Sequence, residues 1–157
     1  TIDEINPCWL KTPAAPLTAA ITEGCEIDLD ALREGFVRLQ DRVEFVAVEG
    51  VGGWIVPITS SYFTNDFAAE LGLPVVMIAP NRLGCLNHIL LTVRSITGAG
   101  LNCAGIVLNS LTPNEDVATS TNAEVLRRCL TIPILGRFDS KRVAIDPEIR
   151  QMLPEIR

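Results

Sequence analysis

Apolar and polar positions along this chain follow two alternating periods. Residues 43–48, 74–79, 104–108 and 132–135 are short, mostly apolar runs bounded by Gly, Pro, Asn or polar clusters, and each predicts a strand. Longer segments between them carry a helical period. Asp28 or Asp30 caps a helix running to about residue 40, with Leu29, Leu32, Phe36, Val37 and Leu39 on its apolar side. Asn65-Asp66 caps a short helix ending at Gly72. Two further helices are predicted, one from about 85 to 97, closed by Gly98 and Gly100, and one from about 115 to 129. Ile89, Leu90, Val93 and Ile96 form the core stripe of the first of these. Residues 1–24, rich in proline and small residues, read as connecting structure with a short helix near 17–21. Residues 50–61 and 112–116 read as loops, and the polar tail after Asp139 as holding a short helix.

Strands that alternate with helices imply βαβ units, so the predicted class is α/β: a parallel sheet with helices on both faces. With no internal repeat, low-complexity run or internal boundary, residues 1–157 are expected to form a single domain. Hydrophobic residues make up 48% and aromatics only 5%. That aliphatic usage suits strands buried on both faces.

Net charge narrows the partners. The chain carries −6 at neutral pH and its thirteen Lys and Arg are scattered, so no nucleic-acid footprint is expected. No apolar stretch reaches the ~18 residues of a membrane span. The five cysteines are odd in number and form no C-x-x-C pair. Reduced thiols in a cytoplasmic protein are therefore expected rather than a disulfide framework or zinc site. Thr1-Ile2-Asp3-Glu4 shows neither an initiator Met nor a signal-peptide pattern, and reads as the continuation of a longer chain.

Candidate chemistry lies where two of these runs end. Val48-Glu49-Gly50-Val51-Gly52-Gly53-Trp54 follows the 43–48 run, and Arg82-Leu83-Gly84-Cys85-Leu86-Asn87-His88 follows the 74–79 run. Ligands of open parallel sheets sit beyond the carboxyl ends of strands. Glu49 there is either a surface carboxylate or a ligand for hydrated Mg²⁺. The glycines make either a tight turn or a close backbone approach to a phosphate. Backbone N–H groups near Cys85 suit an anion. Asn109, closing the 104–108 run, is either a turn former or a reader of a nucleobase edge. His88, the single histidine, and Trp54 read as packing residues, and Cys85 as a small residue at a crowded turn. No G-x-x-x-x-G-K-[ST] phosphate loop occurs in the 157 residues.

In order and spacing these motifs resemble dethiobiotin synthetase. The resemblance is carried by Glu49 to Trp54, Leu73-Pro74-Val75-Val76, Leu83 to His88, Thr92, Ala99-Gly100-Leu101, Gly105-Ile106-Val107-Leu108-Asn109 and Ile132-Pro133-Ile134-Leu135-Gly136, together with Asn6-Pro7. It covers nearly the whole chain, and its Glu-Gly-x-Gly-Gly-Trp and Leu-Gly-Cys-x-Asn-His pair is specific.

The resemblance implies a P-loop NTPase-like fold and a cytoplasmic homodimer with sites at the subunit interface. It implies Mg·ATP-dependent closure of a ureido ring on 7,8-diaminopelargonic acid with CO₂, through a carbamate and a carbamic phosphate. Glu49 would bind Mg²⁺, Gly52 and Gly53 would line the substrate and phosphate site, and Cys85, Leu86 and Asn87 would hold the carboxylate of the partner subunit's substrate. Asn109 would read adenine, with backbone around Phe138 and Asp139 closing the base pocket. The family's phosphate loop, a second Mg²⁺-site Asp and a lysine near the substrate amines precede the region matched here. The expectation is therefore a C-terminal portion lacking the N-terminal strand(s), with no catalytic residue in this chain and no turnover by these residues alone.

Other classes compete. A P-loop ATPase switch of the partitioning type needs a basic or amphipathic partner surface, which the sequence does not show. A corrinoid amidase needs a glutamine-hydrolysing domain. A remnant that only dimerises would expose unpaired strand edges and be unstable alone.

Overall fold

The computed structural model describes residues 1–110, 116–139 and 143–145, which divide into two compact units, Thr1–Glu70 and Leu71–Arg157.

The first unit is helical. It holds α1 (Ile2–Ile5), α2 (Pro16–Glu23), α3 (Leu29–Gln40) and most of α4 (Thr64–Leu71). Helix α2 begins with proline at its first turn, where the missing N–H is no loss, and ends at Gly24 in the left-handed conformation. Asp28 caps α3 as predicted, its carboxylate accepting from the N–H groups of Asp30 and Ala31 at 3.0 Å. The start of α4 comes two or three residues earlier than predicted. Asn65 and Asp66 lie inside the helix, and Asp66 reaches back to accept from the Phe63 N–H at 2.8 Å. A forked ion pair joins α3 to α4: Arg33 donates from Nε to Glu70 Oε2 at 2.8 Å and from Nη2 to Oε1 at 3.0 Å. The guanidinium holds the Glu70 carboxyl below the usual carboxylate range.

One predicted strand is absent. Residues 43–48 are irregular, and Val43, Phe45 and Val48 are 49%, 74% and 45% exposed. A strand forms only where a neighbour takes up its N–H and C=O groups, and no described strand pairs with this run. The unit's one β-type contact is an isolated bridge between Pro57 and Phe63.

The second unit holds the sheet: β1 (Val75–Pro80), β2 (Cys103–Ser110), β3 (Ile134–Asp139) and β4 (Val143–Ile145), in that spatial order. The first three are parallel, and β4 returns antiparallel to β3. The last predicted strand thus starts two residues later and runs further, and Val143–Ile145, in the tail expected to carry a helix, is a strand instead. The remainder of the tail and most of the predicted 112–116 loop lie outside the described residues.

Helices α5 (Cys85–Gly98) and α6 (Val117–Cys129) connect the parallel strands. Helix α5 packs on β1 and β2 through Cys85, Ile89, Val93 and Ile96, all buried at helical spacing. Helix α6 packs on β3. Asp116 caps it by accepting from the Thr119 N–H at 2.7 Å, and this bond holds its carboxyl below the usual range. Strand β2 is central, with Ile106 and Leu108 fully buried. Strand β1 is one edge of the described sheet, and one of its faces is exposed at Val76 (50%) and Ile78 (63%). Burial on both faces, expected for every strand, holds for β2 but not for β1. All five cysteines are free.

Candidate functional site

The carboxyl end of the sheet gathers the nucleotide-site candidates. In the parallel register Asn109 pairs with Pro80 on one side and Phe138 on the other, and Ser110 pairs with Asp139. Asn109, Phe138 and Asp139, far apart in sequence, therefore meet at one sheet end. Asn109 and Phe138 are both half-buried. The Asn109 side-chain amide makes no hydrogen bond among the described residues. A half-buried amide with donors and acceptor unused is a suitable reader of a base edge.

Beneath it lies a buried polar network that the sequence did not reveal. Asn81, Ser110, Thr119 and Asn122 are each at most 9% exposed. Asn81 Nδ2 donates to Ser110 Oγ at 3.2 Å and to the Thr119 C=O at 2.9 Å. Asn122 Nδ2 donates to Asn81 Oδ1 at 2.9 Å and to the Arg82 C=O at 3.3 Å. The Asn81 N–H donates to the Asn109 C=O at 2.7 Å. The sequence signal was faint: one asparagine immediately after β1, and two polar residues on the face of α6 that continues to buried Leu126.

The anion-site candidates open α5. Gly84 caps this helix in the left-handed conformation and brings no side chain to its first turn. The Cys85 N–H is taken by the Arg82 C=O at 3.2 Å, while those of Leu86 and Asn87 donate to no group outside the helix among the described residues. Such N–H groups, at the positive end of a 14-residue helix, suit a carboxylate. Cys85 is only 1% exposed, side chain and backbone together, so it offers no side chain to a ligand. Asn87 is exposed. His88 is exposed as well, not the packing residue expected, and bonds to no described residue.

The metal and glycine candidates occupy one loop of the first unit. With 43–48 irregular, Glu49 does not stand at a strand end. It is an exposed carboxylate without an ion pair or hydrogen bond among the described residues. No group of three or more His, Cys, Asp or Glu that could hold a metal occurs among the described residues. A lone carboxylate still fits Mg²⁺, which binds one or two carboxylates and completes its shell with water and phosphate oxygens. Gly52 has φ +77, a conformation that side chains rarely adopt.

Thr64, which the sequence reading passed over, ties this loop down. Its hydroxyl lies 2.5 Å from the Trp54 C=O and 3.2 Å from the Gly53 C=O, and it accepts from the Val56 N–H at 3.2 Å. The Thr64 N–H in turn donates to the Val56 C=O at 3.0 Å. Thr64→Val, close in volume but without the hydroxyl, leaves the Val56 N–H without that acceptor. Hydrogen-exchange protection at Val56 is expected to fall about tenfold, an energy in the range of one lost buried partner. Unchanged exchange would mean that other contacts hold the loop.

Comparison with known proteins identifies the family. The profile of a family described as an AAA domain matches residues 1–147. The ATP-dependent dethiobiotin synthetase BioD of Aromatoleum aromaticum is 46% identical over 135 residues, covering 86% of this chain and 60% of the relative. The chain belongs to that AAA domain family. The synthetase of Akkermansia muciniphila is 40% identical over 138 residues, covering 88% of this chain and 65% of that protein. That of Bacillus licheniformis is 33% identical over 155 residues, covering 99% and 66%. The chain thus spans some three fifths to two thirds of the length of these synthetases. The parallel strands and their connecting helices fit the α/β, P-loop NTPase-like class of the family. No helix among the described residues is long and apolar enough to cross a membrane.

Proposed function

We propose that these residues serve ATP- and Mg²⁺-dependent carboxylation and ring closure of 7,8-diaminopelargonic acid with CO₂ to dethiobiotin, as one domain of a cytoplasmic homodimer. The observation that carries this is the placement of Asn109, its amide unused, beside Phe138 and Asp139 at the carboxyl end of a parallel sheet, in a chain whose relatives are named ATP-dependent dethiobiotin synthetases.

Asn109 reads the adenine edge, and the backbone of Phe138 and Asp139 closes the base pocket. The open N–H groups of Leu86 and Asn87 receive the carboxylate of the partner subunit's substrate, with the Cys85 backbone beside them. Gly52 and Gly53 let the loop approach substrate and phosphate closely. Glu49 is the residue that would hold Mg²⁺, and that ion supplies positive charge to the transferring phosphoryl oxygens. The reaction needs little covalent chemistry from the protein. A carbamate on one amine takes the γ-phosphoryl of ATP, and the second amine attacks the carbamic phosphate and displaces phosphate. Side chains and backbone contribute alignment and charge stabilisation. Turnover also needs a phosphate-binding loop, which the 157 residues do not supply, so purified residues 1–157 are expected to be inactive.

The test is phosphate release from Mg·ATP by the natural polypeptide that carries these residues. Stimulation by diaminopelargonic acid plus bicarbonate is expected, and indifference to both would favour an ATPase switch. Asn109→Ala is expected to lower the preference for ATP over GTP about tenfold, the scale of one to two lost hydrogen bonds. An unaltered preference would remove the adenine-reading role.

A further inference from the structure

The buried amide of Asn81 is placed to act on the nucleotide site without touching the nucleotide. Its amide nitrogen and its carbonyl oxygen both have partners. Both Nδ2 protons are donated, to Ser110 Oγ and the Thr119 C=O, and Oδ1 accepts from Asn122. Asn81 is 5% exposed, so its amide is shielded from a ligand. Asn109 is the opposite case, half-buried with an amide that bonds to no group among the described residues.

The two asparagines are joined through the backbone. The Asn81 N–H holds the Asn109 C=O at 2.7 Å, and the Asn81 side chain holds Ser110, the next residue of β2, at 3.2 Å. Arg137 Nε approaches the same Ser110 hydroxyl at 3.4 Å from β3. The carbonyl of Thr119 and the amide of Asn122 belong to α6, and the carbonyl of Arg82 leads into α5. The paired side chains of Asn81 and Asn122 therefore tie the ends of β1 and β2 and the entry to α5 to the first half of α6. Buried amides whose partners are all satisfied hold one geometry, because any shift leaves a polar group unpaired in a low-dielectric interior.

We infer that Asn81 is the positioning residue for base recognition. With Asn122 and Ser110 it fixes the angle and depth at which Asn109 meets the base, and thereby sets nucleotide preference. The inference rests on the adenine-reading role of Asn109 given above, and it requires that Asn81 act through Asn109.

The experiment uses the natural polypeptide that carries these residues and the variants Asn81→Ala, Asn109→Ala and the double variant. ATP and GTP are compared by KM and kcat, and by direct binding of a non-hydrolysable analogue of each. Asn81→Ala is expected to raise KM for ATP and to lower the ATP-to-GTP preference about five- to tenfold, with kcat changed less than KM, one to two hydrogen bonds being the scale of the loss. The KM for diaminopelargonic acid should not move. The double variant should lose no more preference than Asn109→Ala alone, since the two act on one contact. A folded Asn81→Ala protein with wild-type preference, while Asn109→Ala loses it, would overturn the positioning role and leave base reading intact. Wild-type preference in Asn109→Ala would overturn the base-reading role and this inference with it. Should Asn81→Ala fail to fold, Ser110→Ala removes only the hydroxyl that Asn81 grips. It should shift preference in the same direction by a smaller factor, and no shift in that variant would equally overturn the inference.

Discussion

Replacing Glu49 with Gln in the natural polypeptide that carries these residues is expected to cut Mg²⁺-dependent turnover at least ~100-fold, the range for losing charge stabilisation by a catalytic metal. The substitution keeps the shape of the side chain and removes its charge. Glu49 is exposed and unpaired among the described residues, so folding should be indifferent: the melting temperature should stay within the shift that ~0.5 kcal/mol produces. That separation makes the result readable, because lost activity at unchanged stability assigns Glu49 to the reaction. The apparent Mg²⁺ requirement should rise as well, since a neutral amide is a weaker ligand for a hard cation. Full activity would make Glu49 a plain loop residue and move the metal-binding role elsewhere.

The largest effect on stability is expected at Gly105. A Cβ built there would lie 2.3 Å from Leu135 Cγ and 2.6 Å from each of its δ carbons. The crowding has a topological cause. The β2–β3 register jumps from Ile106↔Ile134 to Val107↔Gly136, so Leu135 is the extra residue of a bulge, with no partner of its own on β2. Its side chain lies over the backbone of β2 at the position of Gly105. Gly105→Ala must displace Leu135 or reset the bulge, and is expected to cost about 1–3 kcal/mol, the range for overpacking a core. Urea unfolding followed by circular dichroism measures it. The double variant with Leu135→Ala should recover part of the loss, because the colliding atoms are gone. If Gly105→Ala unfolds at the wild-type urea concentration, Leu135 has another rotamer at little cost and the glycine is not required by packing.

Much of this was legible in the sequence, for reasons that differ by element. Helix α3 was readable because its cap and its apolar spacing are local, and Asp28 binds the two N–H groups it was expected to bind. Helix α5 was readable for the same reason, from the repeat of Ile89, Val93 and Ile96. Strand β2 was readable because it is buried on both faces, and so carries no polar side chain from Cys103 to Leu108. The glycine loop, the start of α5 and Asn109 carried the family resemblance, and the relatives bear it out.

What failed to be legible depended on neighbours. The 43–48 run satisfied every local criterion for a strand, yet strand formation is a pairing event, and no described strand lies beside it. An apolar run reports a demand for burial without naming the surface that meets it. Strand β4 was missed for the converse reason, since three residues pair with β3 without any pattern long enough to read. The buried network of Asn81, Ser110, Thr119 and Asn122 was invisible because each residue type favours turns and caps in isolation. Local periodicity and motif spacing thus settled, from sequence alone, the α/β class, the main helices, the central strand and the family. The tertiary structure alone decided which runs found partners, that Leu135 lies over Gly105, and that among the described residues the Asn109 amide has no partner while that of Asn81 is bonded at both ends, because strand pairing, bulge register and hydrogen-bond satisfaction are set by residues distant in the chain.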